Sequence, residues 1–311
     1  MPMASTRTSL QVPGYQVMDY LGSGARSTIW RVRERTRNRY CALKRVTRQP
    51  GDDNRFFEQA INEFEIARQF DHPSIRQYYE LRRIRRWLQV TELHLFMELS
   101  EGASCQAKRP EEVGEAIRIF RAVAEGLAHM HGRGFLHGDM KPNNIIVAPD
   151  GTVKLIDFGQ SCHLGTVKER IQGTPDFIAP EQVHRHPLDA RTDVFNFGAA
   201  LYWTLAGQPI PTVLPKNGNT VQLVNELRVT PAREINPQVP QVLDRLLMDC
   251  IEMHPSRRPQ DMKEVINRLD LIAATRQPEP ALPSDGQPDP FGLDDTRSPS
   301  LPEDFLEGLD D

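Results

Sequence analysis

The apolar positions change period several times along the chain. Tyr15 to Leu21 reads as a strand running into a glycine-containing turn, and Tyr40 to Val46 alternates as a second strand. From Arg55 to Phe70 the period becomes helical, with Phe57, Ile61 and Phe64 on one face. Glu63 shares a stripe with Ala60, Ala67 and Phe70, so its carboxylate is aimed at the protein, whereas Glu65 points elsewhere. Val113 to His131 predicts a long amphipathic helix carrying Ile117, Phe120, Ala124 and Leu127 on one side, with His129 and His131 as ordinary helix-end residues. Ile145 to Val147 is a short β-branched run. The Asp150-Gly151 turn and the alternating Val153 and Leu155 make it one arm of a hairpin.

That hairpin holds two polar loops together at its open end. One carries His137, Asp139, Lys141 and Asn144; the other carries Asp157, Phe158 and Gly159. Carboxylates and an amide converging there suit a hard divalent cation such as Mg²⁺, which takes oxygen ligands and keeps substrate phosphates as partners.

Composition adds bounds. The 311 residues are 39% hydrophobic and 26% charged, ordinary for a globular protein. The net charge of −4 is uneven: from Glu279 onward ten acidic residues face one basic, leaving a mildly basic body. Cys41, Cys105, Cys162 and Cys250 are widely spaced and form no C-x-x-C pair, which argues against a zinc site or a disulfide framework and for a reducing compartment. No apolar run approaches the roughly 20 residues of a membrane helix, and the N-terminus lacks a signal pattern. A cytoplasmic protein with neither nucleic-acid nor membrane partners is expected.

His137-Gly138-Asp139-Met140-Lys141-Pro142-Asn143-Asn144 resembles the protein kinase catalytic loop, H-R-D-L-K-x-x-N, and Asp157-Phe158-Gly159 matches that family's D-F-G. Further landmarks recur in order between about Tyr15 and Ile272. Leu21-Gly22-Ser23-Gly24-Ala25-Arg26-Ser27-Thr28-Ile29 is similar to the glycine-rich loop, with Ser27 for the third glycine. Ala42-Leu43-Lys44 matches the third-strand signature, and Glu63 the helix glutamate that pairs with the lysine. Asp71-His72-Pro73-Ser74-Ile75 resembles the turn that fixes this register. Leu93 to Leu99 resembles the strand entering the hinge, with Met97 as gatekeeper. Gly173-Thr174-Pro175-Asp176-Phe177-Ile178-Ala179-Pro180-Glu181 matches G-T-x-x-Y-x-A-P-E, and Asp193 to Leu205 the buried central helix. Arg258-Pro259 matches the late arginine that pairs with Glu181, and Leu243 to Ile251 and Asp261 to Leu271 are the closing helices.

The resemblance implies an α+β, two-lobed kinase-like fold: a small antiparallel sheet with one main helix (about 15–98), then a mostly helical lobe (about 99–272). It resembles the Hanks-type serine/threonine kinases of bacteria. It implies ATP and Mg²⁺ as cofactors. Leu21 to Ile29, Lys44 and the backbone at Glu98 would bind the nucleotide, and Asn144 and Asp157 the metal. Asp139 would take the acceptor's proton, Lys141 contact the γ-phosphate, and Glu63 orient Lys44. Protein substrates with serine or threonine acceptors follow from Lys141.

Gly138, where the family carries an arginine that anchors an activation-loop phosphate, implies that activity does not need that phosphate; Ser161 and Thr166 stay as possible phosphosites. His-Gly-Asp also occurs in kinase-related phosphotransferases acting on small molecules such as aminoglycosides, and a pseudokinase scaffold is the third reading. Residues 1–14 and the proline-rich acidic stretch 273–311 are expected to be disordered. Within the latter, residues 301–309 read as a solvated tail or a short helix that docks on a partner. Arg82, Arg83, Arg85 and Arg86 read as a basic cluster ahead of a strand pair. They suggest a solvated hairpin with arginines outward or, alternatively, a surface for an acidic partner or for the chain's own tail.

Overall fold

The computed structural model describes residues 10–24, 26–49, 51, 54–211 and 228–275. Ala25 of the glycine-rich loop, most of the N-terminal stretch and the acidic tail with its candidate docking helix lie outside the described residues.

The N-terminal part is a five-stranded antiparallel sheet in the order β1-β2-β3-β5-β4. Its strands are β1 (Tyr15–Ser23), β2 (Ser27–Glu34), β3 (Tyr40–Thr47), β4 (Tyr78–Arg86) and β5 (Gln89–Glu98), with helix α1 (Arg55–Ala67) between β3 and β4. Because side chains alternate along a strand, β3 serves two cores. Cys41 and Leu43 pack with Val12, Tyr15, Val32 and Phe96 on one face. Ala42 and Val46 join α1 and the main core on the other. Lys44 lies between Ala42 and Val46 in that alternation, so it points at α1. The helix ends at Ala67 rather than at the expected Phe70, but the stripe that meets Lys44 is the expected one: Ala60, Glu63 and Ala67 are buried, as is Phe70 beyond the helix, and Glu65 is exposed.

The arginine cluster lies within β4, not ahead of the strand pair, and a two-residue turn, Trp87-Leu88, returns the chain to β5. Arg82 does not point freely outward. It is bonded to Glu80 at 2.7 and 2.8 Å and lies over the Phe96 ring, 4.8 Å from its centroid.

The remainder is mostly helical. Its elements are β6 (Ala103–Ser104), α2 (Val113–His131), β7 (Phe135–Leu136), β8 (Ile145–Val147), β9 (Val153–Leu155), β10 (Cys162–His163), α3 (Pro180–His184), α4 (Ala190–Ala206), α5 (Ala232–Ile235), α6 (Gln241–Cys250) and α7 (Met262–Ala274). Helix α2 spans the residues its periodicity predicts. Helix α4 is buried on nearly every side and runs from an Asp189 cap, whose carboxylate accepts the Arg191 N–H at 2.8 Å, to Gly207 in the left-handed region. The β8–β9 hairpin pairs Ile145 with Leu155 and Val147 with Val153, and β6 adds a third strand. The two-residue strands β6, β7 and β10 carry no legible period. They exist because neighbouring backbone needs partners.

Candidate active site

Lys44 Nζ donates to Glu63 Oε2 at 2.7 Å and lies 4.0 Å from Asp157 Oδ1. Burial works against the ammonium, but the two carboxylates outweigh it and hold the Lys44 pKa above its usual value. The other Glu63 oxygen accepts the Tyr78 hydroxyl at 2.5 Å. Burial, then the Glu63 charge, drives that phenol well above its ordinary pKa, so Tyr78 stays a donor. Tyr78 is a site residue that the sequence reading missed. Only its place as the first, inward-facing residue of β4 could have marked it.

The loop after β7 is fixed from below by Asp193 at the start of α4. Its carboxylate accepts the His137 N–H and the Gly138 N–H, both at 2.9 Å, and His131 Nε2 at 2.8 Å. Asp193 is fully buried. The His131 hydrogen bond, the His131 and His137 charges and the backbone N–H overcome that burial and hold its pKa below the carboxylate range. His131 is therefore not an ordinary helix-end residue: it partners the aspartate that positions the loop.

Pinned in this way, Asp139 is part of a closed triangle. Lys141 Nζ donates to its Oδ2 at 2.6 Å, Thr174 Oγ1 donates to its Oδ1 at 2.8 Å, and Lys141 Nζ also reaches Thr174 Oγ1 at 2.8 Å. Asn144 Nδ2 donates to the Asp139 carbonyl at 2.9 Å, which leaves its oxygen for another partner. At the other arm of the hairpin Asp157 holds φ at +64°, a conformation rare for a residue with a Cβ and concentrated at functional sites. Burial pushes its pKa up, but Lys44, then His137 and Lys141, pull it below the usual range. Phe158 is buried against His137, Tyr78 and Phe70, with centroids 5.5 to 6.1 Å apart.

The glycine-rich turn closes over this group. Leu21, Gly22 and Ser23 end β1, and Ser27, Thr28 and Ile29 open β2, with Ile29 paired to Lys44 across the sheet. Gly24 N donates to the Ser27 carbonyl at 2.9 Å, and a Cβ on Gly24 would stand 3.0 Å from Ser27 Oγ. Arg26 lies over the Phe56 ring, and with Ser27, Lys44, Glu63 and Asp157 it borders a cavity of about 200 Å³. Glu98 ends β5. Its side chain pairs with Lys154 at 2.8 Å and its N–H is taken by the Gln77 carbonyl, so any contribution to the cleft comes from its own carbonyl. Met97 is buried beside Arg76, whose Nη1 is 3.8 Å from its sulfur.

Below the cleft, Arg258 grips Glu181 at 2.7 and 3.0 Å and also donates to the carbonyls of Arg191, Glu252 and Met253. This is the pairing expected of these two residues. Among the described residues no group of three or more His, Cys, Asp or Glu is arranged to hold a metal. Asn144 and Asp157 are two oxygen donors, which fits a cation that completes its shell with water and phosphate oxygens.

The chain is similar to known proteins over most of its length. The chain is 28% identical over 273 residues to a probable serine/threonine-protein kinase of Clostridium perfringens, covering 83% of this chain and 38% of that protein. To the serine/threonine-protein kinase PrkC of Bacillus subtilis it is 25% identical over 263 residues, covering 81% of this chain and 39% of the relative. The chain thus spans about two fifths of the length of these curated relatives. The protein kinase domain family matches residues 15–268. Over most of its length, therefore, the chain belongs to the protein kinase domain family.

Proposed function

We propose that the chain transfers the γ-phosphate of ATP to serine or threonine hydroxyls of protein substrates. The Asp139–Lys141–Thr174 triangle carries this reading, because it joins a proton acceptor, a phosphate-facing cation and the segment that would receive a substrate. In the reaction the acceptor oxygen bonds to the γ-phosphorus, the bond from that phosphorus to the β–γ bridging oxygen breaks, and ADP leaves. Asp139 orients the hydroxyl and accepts its proton. Lys141 lies beside Asp139, where it meets the charge of the transferred group. Lys44, held by Glu63, aligns the α- and β-phosphates, and the turn from Leu21 to Ile29 covers them. The Glu98 carbonyl faces the adenine. Asn144 and Asp157 would hold Mg²⁺, which when bound would supply neutralisation of phosphate charge. Each residue acts by position and charge, as phosphoryl transfer requires.

Residues 15–272 are read as the catalytic domain. A cytoplasmic place of action accords with four free cysteines. No helix among the described residues is long and apolar enough to cross a membrane. The small-molecule reading is disfavoured by the Lys141–Thr174 contact and the Glu181–Arg258 pair, which together build a platform for a peptide. The scaffold reading is disfavoured because Lys44, Asp139 and Asp157 are all present, Lys44 lying 4.0 Å from Asp157 and Asp139 bonded to Lys141 and Thr174.

The test is transfer from labelled ATP with Mg²⁺, comparing wild type with Asp139→Asn, on a basic protein and on an aminoglycoside. Label on protein serine or threonine, lost in the variant, is expected. Transfer to the aminoglycoside alone, or none at all, would overturn the reading. Treatment with a phosphatase beforehand is expected to leave the rate within about twofold, because Gly138 offers no guanidinium to a loop phosphate.

A further inference from the structure

Gln182 is buried, 4% exposed, and its side-chain amide is bonded to the Asp139 loop, to the segment around Thr174 and to helix α4. Its Oε1 accepts the Ala179 N–H at 2.9 Å and Asn196 Nδ2 at 3.0 Å. Its Nε2 donates to the Gly138 carbonyl at 2.8 Å and lies 3.4 Å from the Gln172 carbonyl. Asn196 in turn donates to the Phe177 carbonyl at 2.6 Å. One amide therefore ties together the catalytic loop, both flanks of Thr174 and helix α4. The orientation of the amide is fixed, since backbone groups cannot exchange donor for acceptor: reversed, it would set its oxygen against two carbonyls.

Gly138 adds a second, independent constraint. It holds φ at +72°, and a Cβ there would approach the Gln160 carbonyl at 3.1 Å. A side chain at this position would be strained and glycine supplies none, so no side chain of residue 138 fastens the catalytic loop to the following segment. What Gly138 offers instead is its carbonyl, and Gln182 takes it.

We propose that Gln182 is a positioning residue for the transfer reaction, its neutral amide bridging the Asp139 loop to the Thr174 segment in place of a charged anchor. This inference rests on the kinase reading. The simpler role for Gln182 is half of a capping box, in which a side chain at the third helical position accepts the cap N–H, here that of Ala179. A glutamate serves that role equally well. It cannot donate to Gly138 unless it is protonated.

Gln182→Glu separates the two roles. The bridge predicts that Gln182→Glu lowers kcat roughly ten- to a hundredfold at about pH 8, because a small misplacement of reacting groups has large effects. The KM for ATP should stay within about twofold. Burial against two carbonyls favours the neutral carboxyl, which restores the missing donor, so the ratio of variant to wild-type kcat should climb as pH is lowered toward about 6. Gln182→Met, which loses both roles, should lose rate with no such climb. Two results would overturn the proposal: Gln182→Glu matching wild type at every pH, or a ratio that stays depressed and flat with pH. Wild-type transfer in the same assay reports on the kinase reading separately. If wild type is inactive, amide hydrogen exchange still decides the bridge: faster exchange across Gln172 to Phe177 in Gln182→Glu supports it, and unchanged exchange overturns it.

Discussion

At the scale of single residues, position in a register decides chemistry. Lys44 meets Glu63 because it lies on the face of β3 that also carries Ala42 and Val46. Tyr78 enters the same ion pair from β4. Tyr78→Phe removes one hydrogen bond to a buried carboxylate and should cost about 1.5–3 kcal/mol, read as a lower unfolding temperature, with transfer reduced but not abolished. Lys44→Met, by contrast, leaves Glu63 with only Tyr78 and should lower kcat by orders of magnitude under the same assay. Gly138 sits at a positive φ that L side chains adopt at a cost of about 1–2 kcal/mol. Gly138→Arg should therefore destabilise the protein in thermal melts and slow transfer, without making activity depend on phosphorylation. Of these, Lys44, Glu63 and Asp139 were legible in the sequence, because each sits in an ordered string of neighbours. Tyr78 and Gln182 were not. Their roles depend on where a buried polar tip ends in space, and neither periodicity nor spacing encodes that.

At the scale of elements, α4 is the member on which the others depend. It is apolar on nearly all sides, yet its first turn carries Asp193, which binds the catalytic loop through two N–H groups and His131. Asp193→Asn would set an amide nitrogen against one of the donors that the carboxylate now accepts. Leaving a buried donor unsatisfied costs about 1–3 kcal/mol, measurable by denaturant unfolding. The pH dependence follows from its depressed pKa: the contribution is fully present above the unfolded value of about 3.9 and is lost as pH falls through the lower folded value. The gap between wild type and variant should therefore close only below about pH 4. Sequence patterning marks α4 as buried but cannot say what its lone aspartate binds, since the partners are backbone groups far earlier in the chain. For the same reason the extent of α2 was readable from its 3.6-residue period, whereas the true place of the arginines in β4 was hidden by their charge.

At the scale of the molecule, the two regions meet at a cleft whose walls are joined by side chains from distant segments. Lys44 and Asp157 face each other across it, and the Glu181–Arg258 pair closes the segment below. Arg258→Leu would leave Glu181 buried without a partner, at about 3–5 kcal/mol, and should lower the melting temperature and the transfer rate together.

That pair has a consequence for how the protein is made. Glu181 and Arg258 are 77 residues apart. At about 5–20 residues per second, synthesis leaves Glu181 waiting roughly 4–15 s for its counter-ion. During that interval the segment after Thr174 has no arginine to hold it down, although Asp193, only 12 residues beyond Glu181, is made early enough to pin the Asp139 loop first. Closure of the segment that follows Thr174 therefore arrives only with the last helices of the domain.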